Sequence, residues 1–247
     1  MDIRSFLDST YLKTPAQANI SEEETSKKVY ELTNEAIEND FFEVMIRPNY
    51  VKEIKQYLLS KNSEVKVGTV IGFHEGTAST EAKLAEAQQA INDGVDELDY
   101  VINYEAFKSG NLDLVKNEFI KGTRIALNNN KVVKWIIEIA ALTDEQIASI
   151  TQNIRNWAEE NFDPESLKNI FVKSSTGFYL TENGKPNGAT FEGIRLMIDN
   201  AGSLPVKAAG GVKSPEDAQK MIEMGVQRIG TSSALSLVSN KEITGGY

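Results

Sequence analysis

Short, nearly continuous apolar runs recur along this chain, each followed by a segment of helical periodicity. The runs are "FEVMI", "VKVGTVIGF", "ELDYVI", "VVKWIIEI", "IFVKSS", "LPVKAAGG" and "RIGTSS", with "SFLDST" near the N-terminus as a short eighth. They are rich in Val and Ile and often end at Gly or Ser, which is how parallel strands buried on both faces read. Helix starts are legible between them. Ser21 with Glu24 makes a capping box ahead of "TSKKVYELTNEAIEN", and Ser79 opens "TEAKLAEAQQAIND", with Gly94 as its stop. Ser214 followed by Pro215 is an N-cap with proline at the first helical position. Eight strand–helix units in 247 residues predict an α/β fold, a TIM (β/α)8 barrel. An open doubly wound sheet is the alternative, but no Gly-x-Gly-x-x-Gly turn follows the first strand to favour it. No composition shift divides the chain, and the only low-complexity tract is the loop "NNN" at 128–130. Residues 1–247 therefore read as a single domain, with a short flexible C-terminal tail over about 240–247.

Charge narrows the chemistry. A net charge of −10 and a pI near 4.8 argue against nucleic acid or an anionic membrane as a bulk partner. A small anionic substrate stays compatible, because a local cluster of donors can oppose the global charge. No apolar run approaches the roughly 20 residues that span a bilayer. The start "MDIRSFLDSTYLK" lacks the pattern of a signal peptide, so the expected location is cytoplasmic, with which the absence of cysteine is compatible. A single histidine, His74, makes histidine triads and multi-histidine metal sites unsuitable and leaves Lys, Asp, Glu, Ser and Tyr to carry any reaction.

In a barrel, the C-terminal ends of the strands line the site. Asp8, Asp99, Lys134, Glu138, Lys173 and Lys207 all lie within or just after apolar runs, where hydrophobic patterning alone would not put a charge. Lys173 and Lys207 hold matching places in successive units and are expected to converge from neighbouring strands. Two readings fit. The residues form either a buried ion-pair network or a reactive amine with its supports. For stability alone such a network is a weak device, since apolar replacement is often neutral or better. A free lysine is neutral in only about one molecule in 2,500 at pH 7, and lowering its pKa by about three units costs roughly 4 kcal/mol. Burial and a second cation are the physical means, and a lysine pair supplies both.

Two glycine-rich turns close the list. "KAAGGVKS" puts Gly210 and Gly211 after one strand, and "IGTSSA" puts Ser232 and Ser233 after the next. Each alone reads as a tight turn or a serine cap. Together, after the last two strands of a barrel, they favour a phosphate site.

Taken in order, "FLDSTYLK", "VGTVIGF", "DGVDELDYVIN", "FVKSSTGF", "VKAAGGVKSPEDA" and "GTSSAL" resemble the deoxyribose-phosphate aldolase family of class I, Schiff-base aldolases. The resemblance covers nearly the whole chain. It implies Lys173 as the nucleophile, Lys207 as the neighbour that lowers its pKa, and Asp99 as the proton-relay acid, with Lys134 and Asp8 supporting them. It implies Ser175, Thr176 and Gly177 on the substrate side, and Gly210, Gly211, Ser232 and Ser233 around the phosphate. The implied reaction is the reversible cleavage of 2-deoxy-D-ribose 5-phosphate to acetaldehyde and D-glyceraldehyde 3-phosphate, with no metal and no organic cofactor. A homodimer is a common assembly of the family. Some members end in a tail whose terminal tyrosine assists the proton step, which would be Tyr247 in "NKEITGGY". Departures from the family pattern are Ile139 and Ala140 after Glu138, Met45 and Arg47 in "VMIRP", His74 where proline is frequent, and Lys213 for a frequent arginine. Another Schiff-base aldolase on the same barrel, and a non-catalytic barrel that binds a sugar phosphate, are the competing readings.

Overall fold

Eight strands pair in parallel in chain order, and the eighth returns to pair with the first, which closes the barrel. The computed structural model describes residues 2–182 and 184–239. In order, the elements are β1 (Leu7–Tyr11), α1 (Pro15–Ala18), α2 (Glu22–Glu38), β2 (Glu43–Ile46), α3 (Val51–Ser60), β3 (Lys66–Ile71) and α4 (Thr80–Asn92). They continue with β4 (Glu97–Val101), α5 (Tyr104–Lys108), α6 (Leu112–Asn128), β5 (Val132–Ile136), α7 (Asp144–Asn161) and β6 (Ile170–Lys173). The chain then runs through α8 (Phe191–Ala201), β7 (Val206–Ala209), α9 (Pro215–Glu223), β8 (Arg228–Thr231) and α10 (Ala234–Ser239). A closed sheet has no edge strand, so every ladder hydrogen bond has a partner.

The caps read from the sequence form. Ser21 and Glu24 bond reciprocally at the start of α2, and Ser79 and Ser214 accept backbone N–H bonds at the starts of α4 and α9. Two further capping boxes, Thr14 with Gln17 and Thr143 with Gln146, open α1 and α7. Gly94 follows α4 at φ 94°, a left-handed value that favours glycine.

Several strands are shorter than the apolar runs suggest. β5 ends at Ile136 although the run continues to Ile139, because Glu138 turns to φ 56° and starts a 3-10 turn over Ile139–Ala141. That turn lifts Glu138 out of the sheet and towards the loop after β6.

The strands alternate between two environments. Leu98, Tyr100, Val133 and Trp135 face the helices in the main apolar core, and Trp135 stacks on Tyr100 at 4.7 Å and donates its indole N–H to Thr123 on α6. The opposite parity carries charge into the barrel: Asp8, Glu43, Glu97, Asp99, Lys134, Lys207 and Arg228 are all buried. A barrel interior is ordinarily filled by branched apolar side chains in layers. Here much of it is filled by ion pairs, with a small apolar group of Leu12, Met45 and Val70 beside them.

Candidate active site

Asp99 is the centre of the charged cluster. It is buried on β4, and three lysines from the next three strands donate to it: Lys134 to Oδ1 at 2.7 Å, and Lys173 and Lys207 to Oδ2 at 2.8 and 2.9 Å. The sheet register dictates this convergence, since Asp99 pairs with Lys134 across β4–β5 and Lys173 with Lys207 across β6–β7. Lys134 also meets Glu97 at 2.5 Å, and Lys207 meets Asp8 at 2.5 Å. Arg228 on β8 closes the ring with bonds to Asp8 and a contact of 3.3 Å to Glu97.

Electrostatics separates the three lysines. Burial pulls Lys173 down, Lys207 and Lys134 add to the pull, and Asp99 opposes it; the amine settles at about 8. Lys207 is equally buried, but Asp8 and Asp99 beside it more than offset that and hold it above the ordinary lysine range. Burial of Lys134 is likewise overcome, by Asp99, Glu43 and Glu97, and its ammonium is held high. Burial would raise Asp99, yet the three ammonium groups keep it well below the usual carboxylate range.

A cavity of about 260 Å³ opens above the cluster at the C-terminal end of the strands, and Lys173 is the one member of the charged cluster among the residues that line it. Thr176 and Gly177 line it after β6, Gly210 and Gly211 after β7, and Ser232 and Ser233 after β8. Gly210 and Gly211 take φ of 74° and 75°, left-handed values that glycine adopts without strain. Gly188 packs so tightly on this wall that a Cβ there would stand 2.4 Å from the Gly210 carbonyl carbon. Thr176 is held from behind: its N–H donates to Glu138 Oε2 at 3.1 Å, its hydroxyl also donates to that carboxylate, and it accepts from the N–H of Phe178 at 3.0 Å. Burial pushes Glu138 up to about 7, against the bonds from Thr176.

Lys134, Asp8, Lys207 and Asp99 are buried and do not line the cavity; the cluster meets it at Lys173. Ser175 does not join the lining: it is fully buried, and its hydroxyl has no hydrogen-bond partner among the described residues. Tyr247 lies outside the described residues. Sequence reasoning missed Glu43, Glu97 and Arg228, although "FEVMI", "ELDYVI" and "RIGTSS" carried the same signal, a charge inside an apolar run, that singled out the others. Gly188, in the polar loop "NGKPNGAT", carried none. Among the described residues no helix is long and apolar enough to cross a membrane.

The chain is 39% identical over 239 residues to a deoxyribose-phosphate aldolase from Thermococcus gammatolerans, with 96% of each chain covered. It is 36% identical over 248 residues to the enzyme of that name from Mycoplasmopsis pulmonis, across the full length of both. The chain belongs to the deoxyribose-phosphate aldolase family. No family model matches it. Among solved structures, the aldolase QR15 superposes with a TM-score of 0.78 at 34% identity, covering 97% of this chain and 96% of that one. A tetrameric deoxyribose phosphate aldolase from Aeropyrum pernix gives a TM-score of 0.76 at 29% identity, covering 97% and 92%. A Schiff-base-forming fructose-1,6-bisphosphate aldolase, at 13% identity and a TM-score of 0.54, shares the fold. Family membership agrees with the resemblance carried by the paired lysine motifs, and the barrel is the fold those motifs implied.

Proposed function

We propose that this deoxyribose-phosphate aldolase family member cleaves 2-deoxy-D-ribose 5-phosphate reversibly through a Schiff base on Lys173. The observation that carries the assignment of the nucleophile is that Lys173 alone joins the buried lysine–aspartate cluster to the cavity. The neutral amine attacks C1 of the open-chain sugar, and loss of water from the carbinolamine leaves an iminium. A proton leaves the C3 hydroxyl, the C2–C3 bond breaks, its electron pair becomes the C1=C2 bond of an enamine, and the C=N π pair moves onto nitrogen. D-glyceraldehyde 3-phosphate departs, and the remaining enamine is protonated at carbon and hydrolysed to acetaldehyde and free Lys173.

Asp99 and Lys207 are suited to moving protons here, because Asp99 Oδ2 lies 2.8 Å from Lys173 and 2.9 Å from Lys207. Lys134 and Asp8 anchor the far side of those two groups. The backbone N–H of Gly211 and the hydroxyls of Ser232 and Ser233 suit a phosphate, and Gly210, whose own N–H donates to the Gly230 carbonyl at 3.4 Å, lets the chain approach it; these donors oppose the unfavourable net charge of −10 locally. Thr176 and Gly177 border the space between phosphate and amine. Tyr247 would assist the proton step from the tail. A homodimer is compatible with the family resemblance, and light scattering would measure the assembly.

Incubation with acetaldehyde and borohydride, followed by peptide mapping, tests the reading. An ethylated Lys173, absent from Lys173→Leu, is the expected result. An adduct on Lys207 would exchange the two lysine roles, and no adduct on folded protein that still binds the sugar phosphate would leave a binding barrel.

A further inference from the structure

Glu43 takes no part in the steps above, yet it is fully buried in the middle of the cluster. Room for it is made by Gly68 on the adjacent strand β3, where a Cβ would stand 2.3 Å from Glu43 Oε1 and 2.6 Å from its Cδ. Gly68 is not among the glycines at positive φ, so space rather than backbone freedom is what glycine supplies there.

The cations around Glu43 are committed elsewhere. Lys134 lies 3.4 Å from each Glu43 oxygen but 2.5 Å from Glu97 and 2.7 Å from Asp99. Lys207 lies 3.7 Å from Glu43 but 2.5 Å from Asp8. Arg228 stands 3.2 Å from Glu43 and bonds Asp8 more closely. Charge-assisted N–H···O bonds run at about 2.7–2.9 Å, so the short contacts all belong to the other three carboxylates. Glu43 and Asp8 are directly paired across β1–β2, and two carboxyl groups that share a buried site do not readily ionise together, so one of them keeps its proton.

We propose that Glu43 is a neutral carboxylic acid that donates its O–H to Asp8, and that by withholding a fourth negative charge it makes Lys173 the cation that gives up its proton. The inference rests on the Schiff-base reading and deepens it. With Glu43 neutral, the cluster holds four cations (Lys134, Lys173, Lys207, Arg228) against three carboxylates (Asp8, Glu97, Asp99). One positive charge is in excess in a dry interior, where unbalanced charge is costly. Lys173 sheds it most readily, since Asp99 is its one ion-pair partner among the described residues, is shared with two other lysines, and the cavity lies beside it. The state with Lys173 neutral is then the charge-balanced one, three against three.

The charged groups facing Glu43 are Asp8 from β1, Glu97 from β4, Lys134 from β5, Lys207 from β7 and Arg228 from β8, while Asp99 and, behind it, Lys173 reach it through Lys134 and Lys207. Burial, with Asp8 and Glu97 nearby, holds Glu43 well above the ordinary carboxyl range against the pull of Lys134 and Lys207. Glu43 touches no substrate. It is a positioning residue, and what it positions is charge.

The first test is carbon-13 NMR of the intact protein labelled at the glutamate side-chain carboxyl. The expected result is one resonance that keeps its protonated position from about pH 6 to about pH 9 and vanishes in Glu43→Gln. If every glutamate carboxyl sits at its ionised position at the upper end, the proposal falls. The second test is the pH dependence of borohydride trapping in Glu43→Gln. A neutral amide for a neutral acid leaves the midpoint where it was, whereas loss of an ionised carboxylate would lower it by about one unit or more, and that shift would overturn the proposal. Failure of the parent protein to trap acetaldehyde at any pH would instead sink the Schiff-base reading, and the NMR result would still decide the state of Glu43.

Discussion

At the scale of single residues, the contest over Lys173 is between one anion and three opposing influences. Asp99 favours the ammonium form, but it divides its two oxygens among three lysines, while burial and two neighbouring ammonium groups favour the amine. The outcome near 8 leaves about one molecule in ten neutral at pH 7, against about one in 2,500 for a free lysine. Trapping of acetaldehyde by borohydride is therefore expected to rise through about pH 8 and level off above it, as a pH series would show. Lys207→Met removes one of the two cations. The midpoint should move up by about one unit, and turnover should drop by about 100-fold or more as a proton donor is lost. A midpoint that stays in place would exclude Lys207 as the group that lowers Lys173.

At the scale of elements, most of the chemistry sits on strand ends, and helices reach over to fix the loops that follow them. The link between β3 and α4 is fixed by Lys83, buried on α4, whose ammonium donates to the carbonyls of Gly76 and Val101 and to Glu118 Oε2, each at 2.7 Å. Glu118 on α6 uses its other oxygen to accept from the Asn103 N–H at 3.0 Å. One buried pair thus ties together the ends of β3 and β4 and two helices, and its neighbour Gly72 sits too close to Lys83 to carry a side chain. Removing one partner of a buried pair leaves the other charge uncompensated. Lys83→Met is expected to cost about 3–5 kcal/mol in urea unfolding, and addition of Glu118→Leu to restore part of it. A single-variant loss below about 1 kcal/mol would show that the pair is solvated on the folding time-average.

At the scale of the whole molecule, the charged interior ties stability to pH through groups that work in opposite directions. Burial alone would raise Asp8, Glu97 and Asp99, but the lysines and Arg228 around them hold all three below their ordinary values. Their contribution is fully present above about pH 4–5 and is lost as pH falls through the folded values. Lys173 works in the opposite sense. Its folded value near 8 lies below the ordinary lysine value of 10.5, so it costs stability below pH 8, and the cost fades as pH rises towards 10.5. Glu43 and Glu138 oppose Asp8, Glu97 and Asp99, because each keeps its proton to a higher pH in the folded barrel than in the unfolded chain and so costs stability as pH rises above about 4–5. Urea unfolding should therefore show a gain in stability from pH 3 to pH 6 that is larger in Glu138→Gln than in the parent by about 2 kcal/mol, and an equal gain in both would mean that Glu138 is ionised in the folded barrel. Closure is part of the same design, since the bond from Arg228 to Asp8 spans 220 positions of sequence and forms only when β8 meets β1.

Strand order, helix starts and the positions of Asp99, Lys173 and Lys207 were all legible in the chain, because each is a local pattern: an apolar run, a capping pair, a charge where hydrophobicity predicts none. Family membership was legible for a related reason, since two lysine motifs in a given order are specific. The division of labour within the cluster was not. Lys134, Lys173 and Lys207 look alike in sequence, and what separates them is the number of carboxylates each meets and which one reaches the cavity, both properties of a closed sheet. The same closure brings Glu43, Glu97 and Arg228 into the network, buries Ser175 and seats Gly188 against Gly210. A charge in a strand can be recognised from its neighbours in sequence. Its protonation depends on neighbours in space, and only the folded barrel supplies those.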